Sequence, residues 1–354
     1  MKFVHIADMH FDMPFRILSD RADLGEIRRL DQRKAFKKMI EYIKENNIKY
    51  LFISGDLYDQ EYIRESTIKY INQLFEEIPY TKIYIAPGNH DPYLKNSYYA
   101  NYKWSDNVKI FKGNVEKVED TECNIYGYGF EDFHCKDSKI EEISIDEKEK
   151  INILLTHANI DGTDIEDREY NNLSSKKLKE IGFDYIALGH IHKRDQTTPI
   201  VYPGSTISLG FDELGEHGMI VGNIEKGKLD IEFIRLDSKE LKEFEIDISN
   251  ITSIEELLEK INEIQIEENT LYKIILTGNR NFEINIYKII KMIEEKEIIK
   301  IKDNTNMGYD IEKMEKETTL RGIYIKEIKR QLEQQPENRE LLEKALEIGL
   351  EVLT

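Results

Sequence analysis

A chain of 354 residues, 40% hydrophobic and 34% charged, is long enough for one large catalytic domain plus a smaller appendage. Its formal net charge of -19 at pH 7 argues against a protein that wraps nucleic acid electrostatically over its whole surface, while leaving room for a local phosphate site. No apolar run approaches membrane-spanning length, no secretory leader pattern is visible, and Cys123 with Cys135 do not make a disulfide framework, so a cytoplasmic protein without membrane contact is expected.

The predicted elements alternate. Phe3-Val-His-Ile-Ala7 reads as a buried strand and ends in Asp8-Met-His10. A loop through Arg16 and a charged segment lead to a helix over 33–46, with Phe36, Met39, Ile40 and Ile43 on one face. The strand Tyr50-Leu-Phe-Ile-Ser54 ends in Gly55-Asp56-Leu-Tyr-Asp59, and a second helix over 63–78 presents Ile68, Ile71, Leu74 and Phe75. The next strand, Lys82-Ile-Tyr-Ile-Ala86, runs into Pro87-Gly88-Asn89-His90-Asp91. Strand, helix, strand, helix, strand is the signature of parallel crossover units.

Residues 92–104 carry Tyr93, Tyr98, Tyr99, Tyr102 and Trp104 beside Lys95 and Lys103. They either stack on bases or pack a long loop onto the domain, and packing is preferred. Short β-like runs follow from Val108 to Gly129, then an acidic surface connection from Glu141 to Lys150. The strand Ile151-Asn-Ile-Leu-Leu-Thr156 ends in His157, an Asp-rich loop spans 159–172, a short helix 176–181, and Tyr185-Ile-Ala-Leu188 ends in Gly189-His190-Ile-His192. Gly218 to Ile224 and Leu229 to Leu236 form a hairpin. His5, His134 and His217 stand outside the strand-end pattern and are expected to be structural.

Motifs stop near Asp237, where composition shifts to Lys, Glu and Ile. The expected division is a catalytic domain over 1–238, a small α/β domain over 239–305, and C-terminal helices over 306–354. That last segment holds one helix from about Thr318 to Gln334, a break at Pro336, and a helix from Asn338 whose Leu341, Ala345, Ile348 and Val352 share a face. The stripe either folds back on the body or docks a partner helix.

Any one strand end is ordinary: a hydrogen-bonded loop explains Asn89-His90-Asp91 taken alone. Five strands delivering Asp8, His10, Asp56, Asn89, His157, His190 and His192 to one edge is another matter, because packing favours apolar or neutral residues there, whereas open α/β sheets bind ligands at that edge.

In this order, Asp8-Met-His10, Gly55-Asp56-Leu-Tyr-Asp59, Gly88-Asn89-His90-Asp91, His157 and Gly189-His190-Ile-His192 resemble the five motifs of calcineurin-like metallophosphoesterases. Phe3 to Phe15 and Tyr202-Pro-Gly-Ser-Thr206 further resemble the DNA-repair exonucleases related to SbcD and YhaO. The resemblance implies a metallophosphoesterase sandwich, two β-sheets flanked by helices, with a small α/β capping domain. It implies two divalent metal ions, Mn before Fe or Zn: one on Asp8, His10, Asp56 and His192, the other on Asp56, Asn89, His157 and His190. Asp56 would bridge, a hydroxide shared by the metals would attack phosphorus, and His90, oriented by Asp59, would stabilise or protonate the leaving group.

Three functions fit these residues. The foremost is a DNA exonuclease or endonuclease in DNA repair, whose C-terminal helices meet an SMC-like coiled-coil ATPase subunit or a second copy of the chain. The second is a phosphodiesterase or phosphatase for a nucleotide or other small molecule, which the acidic surface favours. The third is a structural subunit of an ATPase complex.

Overall fold

The computed structural model describes residues 1–15, 24–162, 170–293, 297–308, 311–335 and 338–353. Arg16, the middle of the Asp-rich loop (163–169) and Pro336 lie outside the described residues. In chain order come β1 (Lys2–Ile6), α1 (Leu24–Glu45), β2 (Tyr50–Ile53), α2 (Glu65–Glu76), β3 (Lys82–Ile85), the one-turn α3 (Tyr98–Asn101) and β4 (Val108–Ile110). Next are β5 (Glu116–Glu119), β6 (Cys123–Tyr128), β7 (Ile151–His157), α4 (Ser175–Ile181), β8 (Tyr185–Gly189), β9 (Ile200–Val201), β10 (Gly218–Glu225) and β11 (Lys228–Arg235).

These strands make two sheets. The first has the order β11-β10-β1-β2-β3-β4 and the second β5-β6-β7-β8-β9. In the first, β1 through β4 run parallel and β10 joins β1 antiparallel, with Phe3 opposite Gly222. The β10–β11 hairpin closes with Glu225 opposite Lys228, which leaves a two-residue turn in which Gly227 takes φ +79°, a conformation that the twist of a tight hairpin demands.

The period of two in a strand explains the layering. Val4, Ile6, Leu51, Ile53, Ile83 and Ile85 share a core with Phe36, Met39 and Ile40 of α1 and Ile68, Ile71 and Phe75 of α2. Their alternates Phe3, Tyr50, Phe52 and Tyr84 meet Ile125, Ile153, Leu155 and Tyr185 of the second sheet. The far face of that sheet, Tyr126, Leu154, Ile186 and Leu188, buries Leu178 of α4. The result is helix, sheet, sheet, helix: the sandwich of two β-sheets flanked by helices that the family resemblance implied. Buried on both faces, the strands read as continuous apolar runs rather than as alternation.

The chain continues with β12 (Glu240–Asp247), α5 (Ile254–Asn262), β13 (Thr270–Thr277), β14 (Asn279–Arg280), α6 (Ile286–Met292), β15 (Ile298–Asp303), β16 (Asn306–Met307), α7 (Ile311–Glu315), α8 (Leu320–Gln334) and α9 (Arg339–Val352). One sheet has the order β12-β13-β15, and β14 pairs with β16 in parallel. Two compact units result: Met1–Phe244 with Gln265–Lys273 and Glu295–Lys300, and Glu245–Ile264 with Ile274–Glu294 and Ile301–Thr354.

Three local outcomes bear on the sequence reading. The aromatic segment packs: Tyr99 is buried, and Trp104 lies 5.4 Å from Tyr102, 5.9 Å from Tyr99 and 6.1 Å from Phe75 between ring centroids. Cys123 and Cys135 are both buried free thiols. In α9 it is Leu346 and Leu350 that pack on Ile325 and Ile328 of α8. Of the stripe singled out by spacing, Leu341, Ile348 and Val352 stay 71%, 51% and 79% exposed, while Ala345 packs beside Tyr324.

Candidate metal centre

Parallel strands end on one edge, and the side chains just past those ends converge. Asp8, His10 and His192 bring one ligand atom each within 4.8 Å of one another; so do Asp8, Asp56 and His157, and His10, Asp56 and His90. Holding so many polar groups together takes unusual backbone. Asp8, His10, Asp56 and His190 all have positive φ, from 48° to 99°, a left-handed region that costs a non-glycine residue of order 1 kcal/mol or more and persists only where its surroundings enforce it. Here the enforcement is visible: the Asp8 N–H donates to the Gly55 carbonyl at 3.1 Å and the His10 N–H to the Asp56 carbonyl at 2.9 Å.

Three imidazoles follow one rule. His10 Nδ1 lies 3.1 Å from Asp59 Oδ1, His192 Nδ1 3.2 Å from Glu213 Oε2, and His157 Nδ1 2.8 Å from the Ser54 carbonyl. Carboxylates and carbonyls accept, so Nδ1 carries the hydrogen in each ring and Nε2 is turned inward. His10 Nε2 is 3.6 Å and His157 Nε2 3.3 Å from Asp56 Oδ2, and His192 Nε2 is 4.0 Å from Asp8 Oδ1. Asn89 Oδ1 sits 2.9 Å from His157 Nε2. Among the described residues His10 Nε2 is fully buried without a hydrogen-bond partner. An orphaned nitrogen in a ring of carboxylates is costly in a metal-free pocket and suits a cation, and this mixture of nitrogen and oxygen donors fits a divalent transition metal.

His190 behaves differently. Its backbone N–H donates to Asp8 at 3.0 Å, and its ring meets His157 edge-on at 5.2 Å and lies tilted 5.1 Å from Tyr170, but it joins none of the three tight clusters. His90 stands at the mouth with its side chain 51% exposed, and its Nδ1 is 2.9 Å from the same Asp59 oxygen that serves His10.

The electrostatics follow from this layout. Burial opposes charging His157, His90 and His192, yet Asp56, Asp59 and Glu213 respectively override it and raise each to about 9. Burial, reinforced by the charge on His157, pushes His190 down to about 3. Burial raises Asp8 above the usual carboxylate range, whereas burial of Asp56 is outweighed by His157 and His10, which hold it well below that range. Asp59 resists burial through its two imidazoles and falls to about 2.

Two carboxylates support this edge in roles that the sequence does not display. Asp91 accepts from the backbone N–H groups of Asp56 (3.0 Å), Leu57 (2.7 Å) and Gly88 (2.6 Å) and from the Tyr99 hydroxyl (2.6 Å), clipping the β2 and β3 loops together. Glu213 is the other. Of the histidines expected to be structural, His5 is buried between Tyr185 and Ser54 at 2.9 and 2.7 Å, and His217 is buried against Ser205 and the Glu213 carbonyl.

Two stacked sheets with Asp and His gathered at the strand ends define a metallophosphoesterase. The chain belongs to the calcineurin-like phosphoesterase family, whose model matches residues 1–194. It is 25% identical over 275 residues to the uncharacterized metallophosphoesterase YhaO of Bacillus subtilis, covering 73% of this chain and 67% of that one. It is 28% identical over 286 residues to the SbcD component of the nuclease SbcCD of Staphylococcus epidermidis (70% and 72%), and 28% identical over 279 residues to the DNA double-strand break repair protein Mre11 of Methanocaldococcus jannaschii (74% and 73%). No described helix is long and apolar enough to cross a membrane.

Proposed function

We propose that this metallophosphoesterase is a dinuclear, metal-dependent phosphodiester hydrolase whose substrate is DNA, acting as an exonuclease or endonuclease in repair. The observation that carries the reading is the Asp56 carboxylate standing between His10 at 3.6 Å and His157 at 3.3 Å, where it would be a donor to both ions. Asp8, His10, Asp56 and His192 would hold one ion, and Asp56, Asn89, His157 and His190 the other, with Mn the preferred metal. When bound, such a pair supplies Lewis-acid activation of water and neutralises charge on the phosphate. The protein's own part is orientation: Asp59, Glu213 and Ser54 fix three rings on Nδ1. His90, anchored by Asp59, whose carboxylate helps raise it to about 9 in the metal-free site, would hold a proton for the leaving oxygen. Similarity to a nuclease component and a break-repair protein favours DNA over small esters.

End-labelled DNA with Mn should release nucleotides, and His90→Ala should keep its metals while losing about 10²- to 10⁴-fold in turnover. Hydrolysis of cyclic and linear nucleotides with none of DNA would move the assignment to a small-molecule phosphodiesterase, the reading that the net charge of -19 favours. In the same proposal, the enzyme works in the cytoplasm, residues 239–305 act as a cap, and the exposed Leu341, Ile348 and Val352 dock the coiled coil of an SMC-like ATPase. Recovery of that ATPase unchanged after removal of 318–354 would exclude the docking role, and a monomer–dimer shift on the same truncation would assign the face to a second copy.

A further inference from the structure

Of the imidazoles that turn Nε2 inward, His192 is the most loosely framed by its own strand, since it lies past the end of β8 on the Gly189–His192 turn with 34% of its side chain exposed. What frames it comes from a loop some twenty residues later. Glu213 is buried and uses both oxygens: Oε1 accepts from the backbone N–H groups of Leu209 and Gly210, and Oε2 accepts from the Ser205 hydroxyl at 2.7 Å while lying 3.2 Å from His192 Nδ1.

The loop that carries Glu213 is itself tied to the strand that carries Asp8. Ser205 bridges to Ala7, and the Thr206 hydroxyl donates to the Ala7 carbonyl at 3.1 Å. Behind it, buried Arg28 donates to the Ser208 carbonyl at 2.8 Å and to both oxygens of Asp237 at 3.2 and 2.8 Å, and Asp237 receives the Ser208 N–H. Glu213 is therefore held in place before any ligand enters, as a residue must be if it is to hold another.

We propose that Glu213 is a positioning residue for the metal centre, holding His192 in the Nδ1–H tautomer with Nε2 directed at the ion shared with Asp8. This rests on the dinuclear reading above. The chemistry is specific to a carboxylate: all its partners are donors, so a glutamine keeps the shape but offers one acceptor oxygen where two are used. Its amide hydrogens must then face either the loop N–H groups or the His192 Nδ1 hydrogen.

The test is Mn binding by titration calorimetry and by the EPR signal of free Mn, on the full chain. Wild type should take up two ions. Glu213→Ala and Glu213→Gln should each weaken one of them by about 10- to 100-fold and leave the other near its wild-type affinity. Ser205→Ala removes the hydroxyl contact to the same carboxylate while keeping the Ser205 backbone N–H bond to the His192 carbonyl, so it should lower the melting temperature and leave both Mn affinities alone. Equal loss at both ions in Glu213→Ala, or the same Mn loss in Ser205→Ala, would mean that Glu213 only clasps its loop and would overturn the proposal. Wild-type affinity in both Glu213 variants would overturn it too. Failure of the wild type to bind Mn at all would instead remove the dinuclear reading on which it stands.

Discussion

Asp59 places one oxygen 3.1 Å from His10 Nδ1 and 2.9 Å from His90 Nδ1, and this sharing separates two variants that a purely catalytic role would make alike. Removing His90 takes away a group at the mouth of the site. Removing Asp59 also frees a buried ring whose inward nitrogen faces Asp56. Asp59→Ala is therefore expected to lose turnover as His90→Ala does and, unlike it, to weaken Mn binding by about tenfold or more; equal Mn affinity in the two variants would detach His10 from the metal centre. The same residues set a pH dependence. His157, His192 and His90 sit at about 9 against 6.5 for a free imidazole, so between those values the metal-free fold binds more protons than the unfolded chain. Stability from these charges is complete below pH 6.5 and is lost as pH rises through 9. Melting in EDTA should fall across that window. Bound Mn needs the His157 and His192 rings neutral and expels their protons, so saturating Mn should reduce the downward slope to the share carried by His90. Parallel slopes with and without Mn would show that the ion does not reach His157 and His192.

The elements explain why part of the site was legible and part was not. Each of Asp8, Asp56, Asn89, His157 and His190 follows within a few residues of an apolar run buried on both faces, and a strand end is a local feature that a sequence displays. Glu213 gives no such signal: it sits in Phe211-Asp-Glu-Leu-Gly-Glu-His217, and nothing local says which acid turns inward. Asp91 belongs to the Gly88-Asn89-His90-Asp91 motif, yet its carboxylate faces three backbone N–H groups and a tyrosine, a tertiary choice. In α9, Leu342, Leu346 and Leu350 recur every four residues beside the Leu341, Ala345, Ile348 and Val352 stripe, and spacing alone cannot choose between two apolar stripes on one helix. The β2 and β3 ends also fit too closely for a side chain at Gly88, where a Cβ would run into the Asp56 carboxylate and the His157 ring. Gly88→Ala should keep its sheet content by circular dichroism, lose about 1–3 kcal/mol of stability, and bind Mn more weakly because Asp56 is displaced. Two wild-type Mn sites in that variant would mean that Asp56 does not need its observed position.

At the scale of the molecule, the balance of 50 basic against 69 acidic residues decides how a DNA substrate could be held. A protein that tracks a duplex with many lysines and arginines releases one condensed counterion for nearly every phosphate it neutralises, and its affinity collapses with salt. Here, among the described residues, the cavity that opens on His10 and His90 offers few basic groups. A cavity of about 700 Å³ beside His10, His90 and His192 is walled by Met13, Phe15 and Phe211, with Lys273 and Lys300 as its cations, and Lys273 also pairs with Glu243 at 2.6 Å. Two such contacts give a slope of log affinity against log salt of about -2 or shallower, roughly a tenfold loss from 50 to 200 mM, against about 10³-fold or more for a protein making six to ten phosphate contacts. If DNA is held chiefly by its scissile phosphate on the cations, then affinity measured with a non-hydrolysable phosphorothioate end should be shallow in salt and should vanish with EDTA. A steep slope that survives EDTA would place the binding energy on a basic surface away from the metals and break the link between this acidic chain and its strand-end site.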